Sequence, residues 1–356
     1  MKIAIITIHD PKVNYGSTLQ SCATYSFVKQ LGYDVEIINY CPQYKTFLQR
    51  IKRYFVKLIF LIPYIIRANK FKRYFMEHAI LTKKYKNYKD LSYNPPKADV
   101  YITGSDVIWN RMVNPEGNDD AFYLRFVQDA FKMSYAPSMG EIQNNVNLNF
   151  IKQRISDFKY ISVREYDSKK QLEDMGFANV ECVLDPVFLL DKKYYLGISK
   201  TNIYGRYILV YLMSKSNFSE YVIKFIKKKL KLKVLLIGGF KRKCDCEYYD
   251  RTTGPIDFIT YINNAEYIVT DSFHCVSFSL IFNKEFCFVP SKKCNMRIEN
   301  ILSITHLLDR IVSDYKDIDK VLNPIKYDIV NKYINNEIRK SRDYLKNSLK
   351  SIEKEI

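Results

Sequence analysis

The amino-acid sequence predicts an α/β protein built from two Rossmann-like halves that face each other across a cleft. Strand and helix patterns alternate along its 356 residues, and this length exceeds what one hydrophobic core usually fills. A polar, turn-rich stretch that begins at residue 191 separates two such alternating series. We therefore predict an N-terminal domain over residues 1–190, a C-terminal domain over residues 191–321 and a helical tail over residues 322–356.

The first half opens with a β-α-β pattern. A strand-like run over residues 2–8 is followed by a polar loop, by apolar residues at helical spacing up to Gly32, and by the strand pattern DVEIINY. This order is typical of a parallel sheet with a right-handed crossover. A basic and apolar insertion over residues 45–80 interrupts the series. The alternation resumes in four segments, residues 98–106, 132–140, 159–176 and 180–190.

The second half repeats this alternation. Its strand patterns are RYILVYLM, KVLLIGGF, EYIVTDS and KEFCFVP, and helical patterns lie between them at residues 219–231, 254–265 and 273–283. The tail is charged and has helical periodicity, so we expect it to cap or cross one of the domains.

Polar turns follow the predicted strands in both halves. In open parallel α/β sheets, ligands bind outside the carboxyl ends of the strands, where the strand order reverses. Five turns occupy such positions, and they read HDPKVNYG, TGSDVIWN, SVRE, VLDP and TDSFHC. Because one rule applies to all five, they predict a ligand-binding cleft between the halves.

The composition limits the classes of partner. The formal net charge is +18, but the lysines are spread along the chain without a recognisable nucleic-acid-binding motif, so we expect no nucleic acid. The eight cysteines are scattered, which favours reduced thiols in the cytoplasm over a secreted disulfide framework. The N-terminus acquires charges too early for a signal sequence. Cys244 and Cys246 form an isolated C-x-C, more typical of a polar loop than of a zinc site, so we expect no metal.

A basic stretch over residues 50–75 encloses the apolar segment LIFLIPYII. This segment is too short to span a bilayer, which needs about 20 apolar residues, and it contains Pro63. Two interpretations stay open. The stretch lies on an anionic leaflet at the inner face of the plasma membrane, or it forms a helical hairpin packed on its own domain.

The turn at the start of the first helix is a candidate ligand site. Asn14, Tyr15 and Gly16 precede Ser17 at a predicted helix N-terminus, where backbone N–H groups favour an anion or sugar hydroxyls. The glycine pattern is not that of a dinucleotide or Walker loop. A helix cap without a ligand is the alternative.

A second candidate is the turn that holds the only tryptophan of the chain. Ser105, Asp106 and Trp109 lie together, and a carboxylate beside an indole face suits a sugar through hydrogen bonds and stacking. A tryptophan in the core is the alternative.

Arg164 and His274 are candidates for binding an anion. The arginine follows a strand, and its planar fork donates two parallel hydrogen bonds to phosphate or carboxylate. An ion pair with Glu165 or another surface acid is the alternative. The histidine stands after the strand YIVT, beside Asp271 and Ser272, where a helix begins. This position favours a side chain that faces the cleft over a structural histidine.

Taken together, these turns resemble the polysaccharide pyruvyl transferase family. The resemblance reaches from the first strand to about residue 312. It depends on six motifs in order: N-Y-G-S-T-L-Q (14–20), T-G-S-D-V-I-W-N (103–110), Y-A-P-S-M-G (135–140), S-V-R-E (162–165), L-D-P-V-F-L-L (184–190) and T-D-S-F-H-C (270–275). It implies a GT-B-like fold and transfer of the enolpyruvyl-derived unit of phosphoenolpyruvate to a sugar of a cell-surface polysaccharide or its lipid-linked precursor, as a cyclic ketal.

The resemblance also implies site residues. Arg164 and His274 would hold phosphoenolpyruvate, with backbone N–H groups near Phe273 assisting. Ser272 is a departure, because some branches of the family carry an arginine there and one phosphate contact must then come from elsewhere. The residues that could replace this contact are, in order of preference, Arg297, Lys241 and Arg242.

The implied chemistry needs an acid and a base, each typically contributing ~10²- to 10⁴-fold. His274 is predicted as the acid or phosphate partner, since an imidazole can be protonated near neutral pH. Asp106 is predicted as the base or an acceptor ligand, with the acceptor near Asn14 and Tyr15. No cofactor is expected. The rival interpretations are a GT-B glycosyltransferase that uses a nucleotide sugar and a non-catalytic sugar-binding protein at the membrane.

Overall fold

The computed structural model describes residues 1–9, 14–42, 61–110, 119–140, 148–214, 216–238, 245–291 and 296–356. Two five-stranded sheets and one two-stranded sheet form the framework of these residues. The predicted loop residues 10–13, the first part of the basic stretch at 50–60, and the candidates Lys241 and Arg242 lie outside the described residues.

The first half alternates strands and helices. Its elements are β1 (Lys2–Ile6), α1 (Tyr15–Gln30), β2 (Asp34–Tyr40), α2 (Leu61–His78), β3 (Leu81–Tyr85), α3 (Tyr88–Tyr93), β4 (Val100–Thr103), β5 (Phe131–Ser134), α4 (Leu148–Ile155), β6 (Ser162–Val163), α5 (Tyr166–Asp174) and β7 (Glu181–Cys182), followed by a short 3₁₀ helix (Pro186–Phe188).

The second half begins after the helix α6 (Lys192–Ile198). Its elements are β8 (Tyr207–Tyr211), α7 (Asn217–Leu230), β9 (Lys233–Ile237), β10 (Tyr248–Asp250), α8 (Pro255–Asn264), β11 (Tyr267–Thr270), α9 (Phe273–Phe282), β12 (Glu285–Phe288), α10 (Met296–Ile304) and α11 (Tyr327–Glu353).

The two large sheets share one strand order. It is β3-β2-β1-β4-β5 in the first and β10-β9-β8-β11-β12 in the second, and every pair of neighbouring strands is parallel. The order therefore reverses between β1 and β4 and again between β8 and β11. Ligands of such sheets bind beside these switch points, at the carboxyl ends of the strands.

One apolar core joins the two halves. It includes Ile5 of β1, Phe258 of α8 and Ile268 of β11, all fully buried. Because successive strand residues point to opposite faces, Ile6 of β1 and Val269 of β11 belong to two separate clusters on the other faces of their sheets. The domain boundaries at residues 190 and 321 stay predictions, since the joint core runs past both.

The tail helix α11 packs on the first half. Ser341 Oγ accepts a hydrogen bond from the Leu184 N–H at 2.9 Å, and the Tyr344 hydroxyl donates to the Ser134 carbonyl at 3.1 Å. The end of the helix is held by the Tyr33 hydroxyl, which donates to Glu353 Oε2 at 3.1 Å. The chain therefore returns to its N-terminal half after completing the second sheet.

The insertion supplies the helix α2, which lies against α1 and α8 and so contacts both halves. Its inner face is formed by Arg67, Phe71, Tyr74 and Phe75, all buried. Its outer face is apolar in the first turns and basic further on. The exposed apolar residues of these first turns are Leu61, Ile62, Ile65 and Ile66, and Met76 is exposed near the end of the helix. Within the described residues, no helix is both long enough and apolar enough to cross a membrane.

Candidate active site

Asp185 joins Arg164 and His274 in one buried cluster. Arg164 Nη1 donates to Asp185 Oδ2 at 2.6 Å, and His274 Nε2 lies 3.6 Å from the same oxygen. The turn after β7 orients the carboxylate, because the Val187 N–H donates to its Oδ1 at 3.1 Å. Segments far apart in the sequence therefore meet at a single carboxylate.

The electrostatics of this cluster follow from burial and opposite charge. Burial raises the pKa of Asp185, but His274 and Arg164 outweigh this effect and hold the pKa well below its usual range. Burial lowers the pKa of Arg164, whereas the carboxylates of Asp185, Glu165 and Asp106 raise it above the ordinary value. The arginine therefore stays a cation and Asp185 an anion at neutral pH.

Two nitrogen atoms of the cluster have no hydrogen-bond partner among the residues that the structure describes. They are Arg164 Nη2 and His274 Nε2, both buried. The 3.6 Å separation between His274 Nε2 and Asp185 exceeds hydrogen-bond distance, so the ring is attracted by the carboxylate without being satisfied by it. Unpaired buried donors are costly, and a bound anion would satisfy them.

The N-terminus of α9 adds backbone donors at the same place. Ser272 caps the helix, with its Oγ 3.5 Å from the Cys275 N–H. The ring of Phe273 lies under two guanidinium groups, 4.8 Å from Arg164 Cζ and 5.8 Å from Arg297 Cζ. Four of the predicted donor residues are therefore adjacent in space, and the positive end of a helix dipole faces them.

The first turn of α1 brings the N-terminal half against His274. A Cβ atom on Gly16 would lie 2.1 Å from His274 Nδ1, so only glycine fits at this close approach. The next residue, Ser17, donates from Oγ to Asp106 Oδ2 at 2.7 Å. Adjacent residues of one helix turn thus contact both predicted catalytic side chains.

Asp106 is held in an unusual backbone conformation. Its φ of 73° lies in the left-handed region, which aspartate tolerates better than most residues. Its Oδ1 accepts from the Val107 N–H at 2.8 Å, and its carbonyl accepts from the Ser138 N–H at 2.8 Å. The preceding Ser105 is buried, and its Oγ donates to the Ala136 carbonyl at 2.8 Å. This turn is fully engaged in its own half.

Trp109 does not offer a face to a sugar, which corrects the prediction of a stacking platform. The side chain is 1% exposed, its Nε1 donates to the Phe122 carbonyl at 3.1 Å, and its ring stacks on Tyr123. The cause is that the turn after β4 folds back over the outer face of the first sheet. The core interpretation of the tryptophan is the one observed.

Tyr15 is also buried, so its side chain is not available to an acceptor in this arrangement. Its ring stacks on Phe258 with 4.4 Å between centroids, and its hydroxyl donates to the Thr253 carbonyl at 3.1 Å. Asn14 is exposed and caps α1, since its Oδ1 accepts from the Ser17 N–H at 3.2 Å. Tyr15 therefore acts as a bridge to the second half.

Sequence reasoning missed Asp185 as a member of the site. The motif that contains it was recognised, and its position at a strand end was the available signal, but nothing in the sequence shows that two cations converge on it. Within the described ranges, no group of three or more His, Cys, Asp or Glu side chains is placed to hold a metal ion.

Solved structures of UDP-N-acetylglucosamine 2-epimerases share this architecture. The Neisseria meningitidis enzyme, solved with UDP-GlcNAc, has a TM-score of 0.53 and 11% identity over 99% of this chain and 99% of that chain. The Rickettsia bellii enzyme has a TM-score of 0.53 and 12% identity over 97% and 98%. The S. aureus MnaA–UDP structure has a TM-score of 0.53 and 12% identity over 98% and 91%. At such identities the likeness shows the fold alone, and the chain is a two-domain protein of the GT-B fold, as predicted.

The family follows from the sequence. The family model for polysaccharide pyruvyl transferase matches residues 14–293, and the chain belongs to this family, which confirms the resemblance. The matched span includes every predicted site residue except Arg297. No curated protein sequence matches the chain. Membership identifies the chain as a transferase that acts in polysaccharide pyruvylation, with a saccharide as acceptor.

Proposed function

We propose that the protein transfers the enolpyruvyl-derived unit of phosphoenolpyruvate to two hydroxyls of one sugar and thereby forms a cyclic pyruvate ketal. The observation that carries this proposal is the cluster of Arg164, Asp185 and His274 at the N-terminus of α9, with two unpartnered buried nitrogens. A donor with a phosphate and a carboxylate matches these nitrogens and the adjacent guanidinium of Arg297 in charge.

The reaction has two stages. A proton is added to the methylene carbon of phosphoenolpyruvate, and a sugar hydroxyl attacks the resulting cationic carbon and loses its proton. In the second stage another hydroxyl of the same sugar forms a bond to that carbon while the carbon–oxygen bond to phosphate breaks, and the proton of this hydroxyl passes to the departing phosphate. The products are the ketal and inorganic phosphate, and neither stage requires a redox partner, a metal or a cofactor.

His274 is suited to the first proton transfer. Its Nε2 has no hydrogen-bond partner among the described residues and lies 3.6 Å from the Asp185 carboxylate. Asp106 is the proposed base toward the acceptor hydroxyl, and Ser17 holds its carboxylate in place at 2.7 Å. The first turn of α1 sets the relative positions of these two groups.

Entry of the substrates requires a change in the arrangement of the halves. Arg164 is 4% exposed and His274 is 9% exposed, and Gly16 closes over the histidine ring. We propose that α1 and α9 separate to admit the donor and close again around it. Domain closure of this kind excludes water from the reacting carbon.

The test is to incubate the protein with phosphoenolpyruvate and candidate saccharides and to measure the added three-carbon unit by mass spectrometry. Phosphate release is measured in parallel. The His274→Asn variant should lose about 10²- to 10⁴-fold in rate while it keeps its fold, because the ring makes no strong hydrogen bond. Thermal stabilisation by a nucleotide sugar but not by phosphoenolpyruvate would contradict the proposal and favour a glycosyltransferase.

We further propose that the acceptor is lipid-linked and that the protein acts at the cytoplasmic face of an anionic membrane. The support is the outer face of α2, where Ile62 is 71% exposed and Ile65 is 47% exposed. Apolar side chains flanked by basic residues bind the headgroup layer of anionic bilayers, and the net charge of +18 favours such a surface.

Liposome flotation tests this second proposal. The double variant Ile62→Glu/Ile65→Glu should lose binding to vesicles that contain anionic lipid. The matched control is Ile203→Glu, a residue that is 78% exposed on the other half of the protein. Equal flotation of the wild type and the double variant would remove the membrane from the proposal and leave the ketal chemistry untouched.

A further inference from the structure

Arg67 is a buried arginine that the proposed reaction does not yet use. It lies on the inner face of α2 and is 6% exposed. Its Cζ is 4.9 Å from the centroid of the Tyr15 ring and 5.8 Å from that of Phe71. Its Nε has no hydrogen-bond partner in the described part of the chain.

The other buried arginines among the described residues have carboxylate partners. Arg164 contacts Asp185 at 2.6 Å, and Arg310 contacts Asp309 at 3.0 Å. No carboxylate of the described residues lies within ion-pair distance of Arg67. A charge that is buried without an opposite charge is costly, and the protein gains by binding an anion there.

The position of Arg67 coincides with the switch point of the second sheet. The Arg67 guanidinium lies over the Tyr15 ring, and the centroid of this ring is 5.4 Å from that of Tyr211, the last residue of β8. Tyr15, whose ring contacts the Arg67 guanidinium, is also the residue before Gly16, and Gly16 lies against the His274 ring. Ligands of doubly wound sheets bind at such strand ends.

Two other basic residues of α2 that lie near Arg67 in the sequence, Lys70 and Arg73, have carboxylate partners. Lys70, one turn later on the helix, donates to Asp257 Oδ2 at 2.7 Å and is thereby neutralised. Arg73 points outward, with its side chain 81% exposed and paired with Glu77. Arg67 alone among these three basic residues is both buried and without a carboxylate.

We propose that Arg67 is a phosphate-binding residue, brought to the seam between the two halves by the insertion helix. The phosphate belongs to a substrate of the proposed reaction, so this assignment rests on that function. It comes either from phosphoenolpyruvate or from the diphosphate of a lipid-linked acceptor, which the apolar outer face of α2 would accompany. In the first case Arg67 supplies a phosphate contact that Ser272 cannot make.

The experiment measures the affinity of the full chain for phosphoenolpyruvate and for farnesyl diphosphate by isothermal titration calorimetry. The variants are Arg67→Gln and, as matched control, Arg73→Gln on the same helix. We expect Arg67→Gln to lower the affinity for at least one of the two ligands by tenfold or more. Arg73→Gln should lower the affinity for neither ligand by more than about twofold. The ligand for which Arg67→Gln loses affinity identifies the source of the phosphate.

Thermal unfolding without ligand separates binding from structure. If Arg67 serves a ligand, its replacement removes an unpaired buried charge and the unfolding temperature of Arg67→Gln does not fall below that of the wild type. Unchanged affinity for both ligands, or a wild type that binds neither, would overturn the proposal. If Arg67→Gln loses tenfold in affinity but the wild type forms no ketal, the phosphate site is supported and the proposed function is refuted.

Discussion

The switch points of the two sheets differ in how completely their polar groups are satisfied. Beside β1 and β4, Asp106 accepts from Ser17 and from the Val107 N–H, and Ser105 donates to a backbone carbonyl. Beside β8 and β11, His274 Nε2 is unpartnered, and the adjoining Arg164 leaves Nη2 unpartnered. The same strand order thus produces a self-contained scaffold beside the first switch point and, beside the second, a cluster with unsatisfied nitrogens where we propose that an anion binds.

This difference suggests a division of labour. In the closed arrangement the scaffold places the first turn of α1 against His274, and the two nitrogens without partners are the proposed contacts of a ligand. Buried donors without partners cost free energy, so the second switch point lowers the stability of the unliganded protein. Binding of the proposed anion would offset this cost. The following substitutions test this division, from the largest expected effect on stability to the smallest.

Asp185→Asn should cause the largest loss. The substitution removes the carboxylate at 2.6 Å and leaves the buried guanidinium of Arg164 with Glu165, at 3.4 Å, as its ion-pair partner among the described residues. Breaking a buried pair in this way costs about 3–5 kcal/mol. The free energy of unfolding from urea denaturation measures it. Asp191→Asn is the control, because the Asp191 side chain is 73% exposed in its pair with Arg342 and should cost less than about 1 kcal/mol. Equal losses in both variants would show that the cluster is not a stabilising centre.

Gly16→Ala should reduce stability by about 1–3 kcal/mol and should abolish most of the activity. The new methyl group would lie 2.1 Å from His274 Nδ1, so either the ring or the first turn of α1 must move. Gly197→Ala is the control, since that glycine lies in α6 with open space around it and alanine favours a helix by about 0.5–1 kcal/mol. Full activity in Gly16→Ala would refute the close contact between the halves.

Trp109→Phe should reduce stability by about 1 kcal/mol through loss of the hydrogen bond to the Phe122 carbonyl. Its saccharide affinity, measured by calorimetry, should be unchanged because the ring is part of the scaffold. Tyr123→Phe is the control in the same stack, where the buried hydroxyl has no partner and its removal should be neutral. If Trp109→Phe binds saccharide more weakly and Tyr123→Phe does not, Trp109 stacks on the sugar as the sequence predicted.

The smallest effect concerns pH. The pKa of Asp185 is lowered in the folded protein, so the carboxylate contributes stability above its unfolded pKa of about 3.9 and loses it as pH falls toward the folded pKa. Between pH 7 and pH 5 the difference in unfolding free energy between the wild type and Asp185→Asn should therefore be constant. Below about pH 4 it should narrow. A difference that stays constant below about pH 4 as well would mean that the pKa of Asp185 is not lowered.

The alternation of strands and helices could be predicted from the sequence because hydrophobic periodicity is a local property. The strands YIVT and YILVY and the helix that contains His274 appear where their patterns predict them. The short strand β10, with only three residues in a polar region, gave no such signal. The polar turns at strand ends were recognised because chain order places them there.

Contacts between segments could not be predicted in the same way. Asp185 became part of the site only when Arg164 and His274 were brought to it from 21 and 89 residues away in the sequence. Trp109 and Arg67 also depend on tertiary contacts, one as a predicted site residue found in the core and the other as an unpredicted candidate. An indole next to an acid was drawn into the core, and an arginine in a helix with no recognisable motif was buried at the seam.

The sequence by itself determined the class of this protein, its family and the turns that carry polar side chains, because local patterns and motif order are written along one dimension. Only the tertiary structure decided which of those side chains are satisfied and which are left for a ligand. The physical reason is that the state of a buried polar group depends on partners supplied by distant segments, and packing in three dimensions selects those partners.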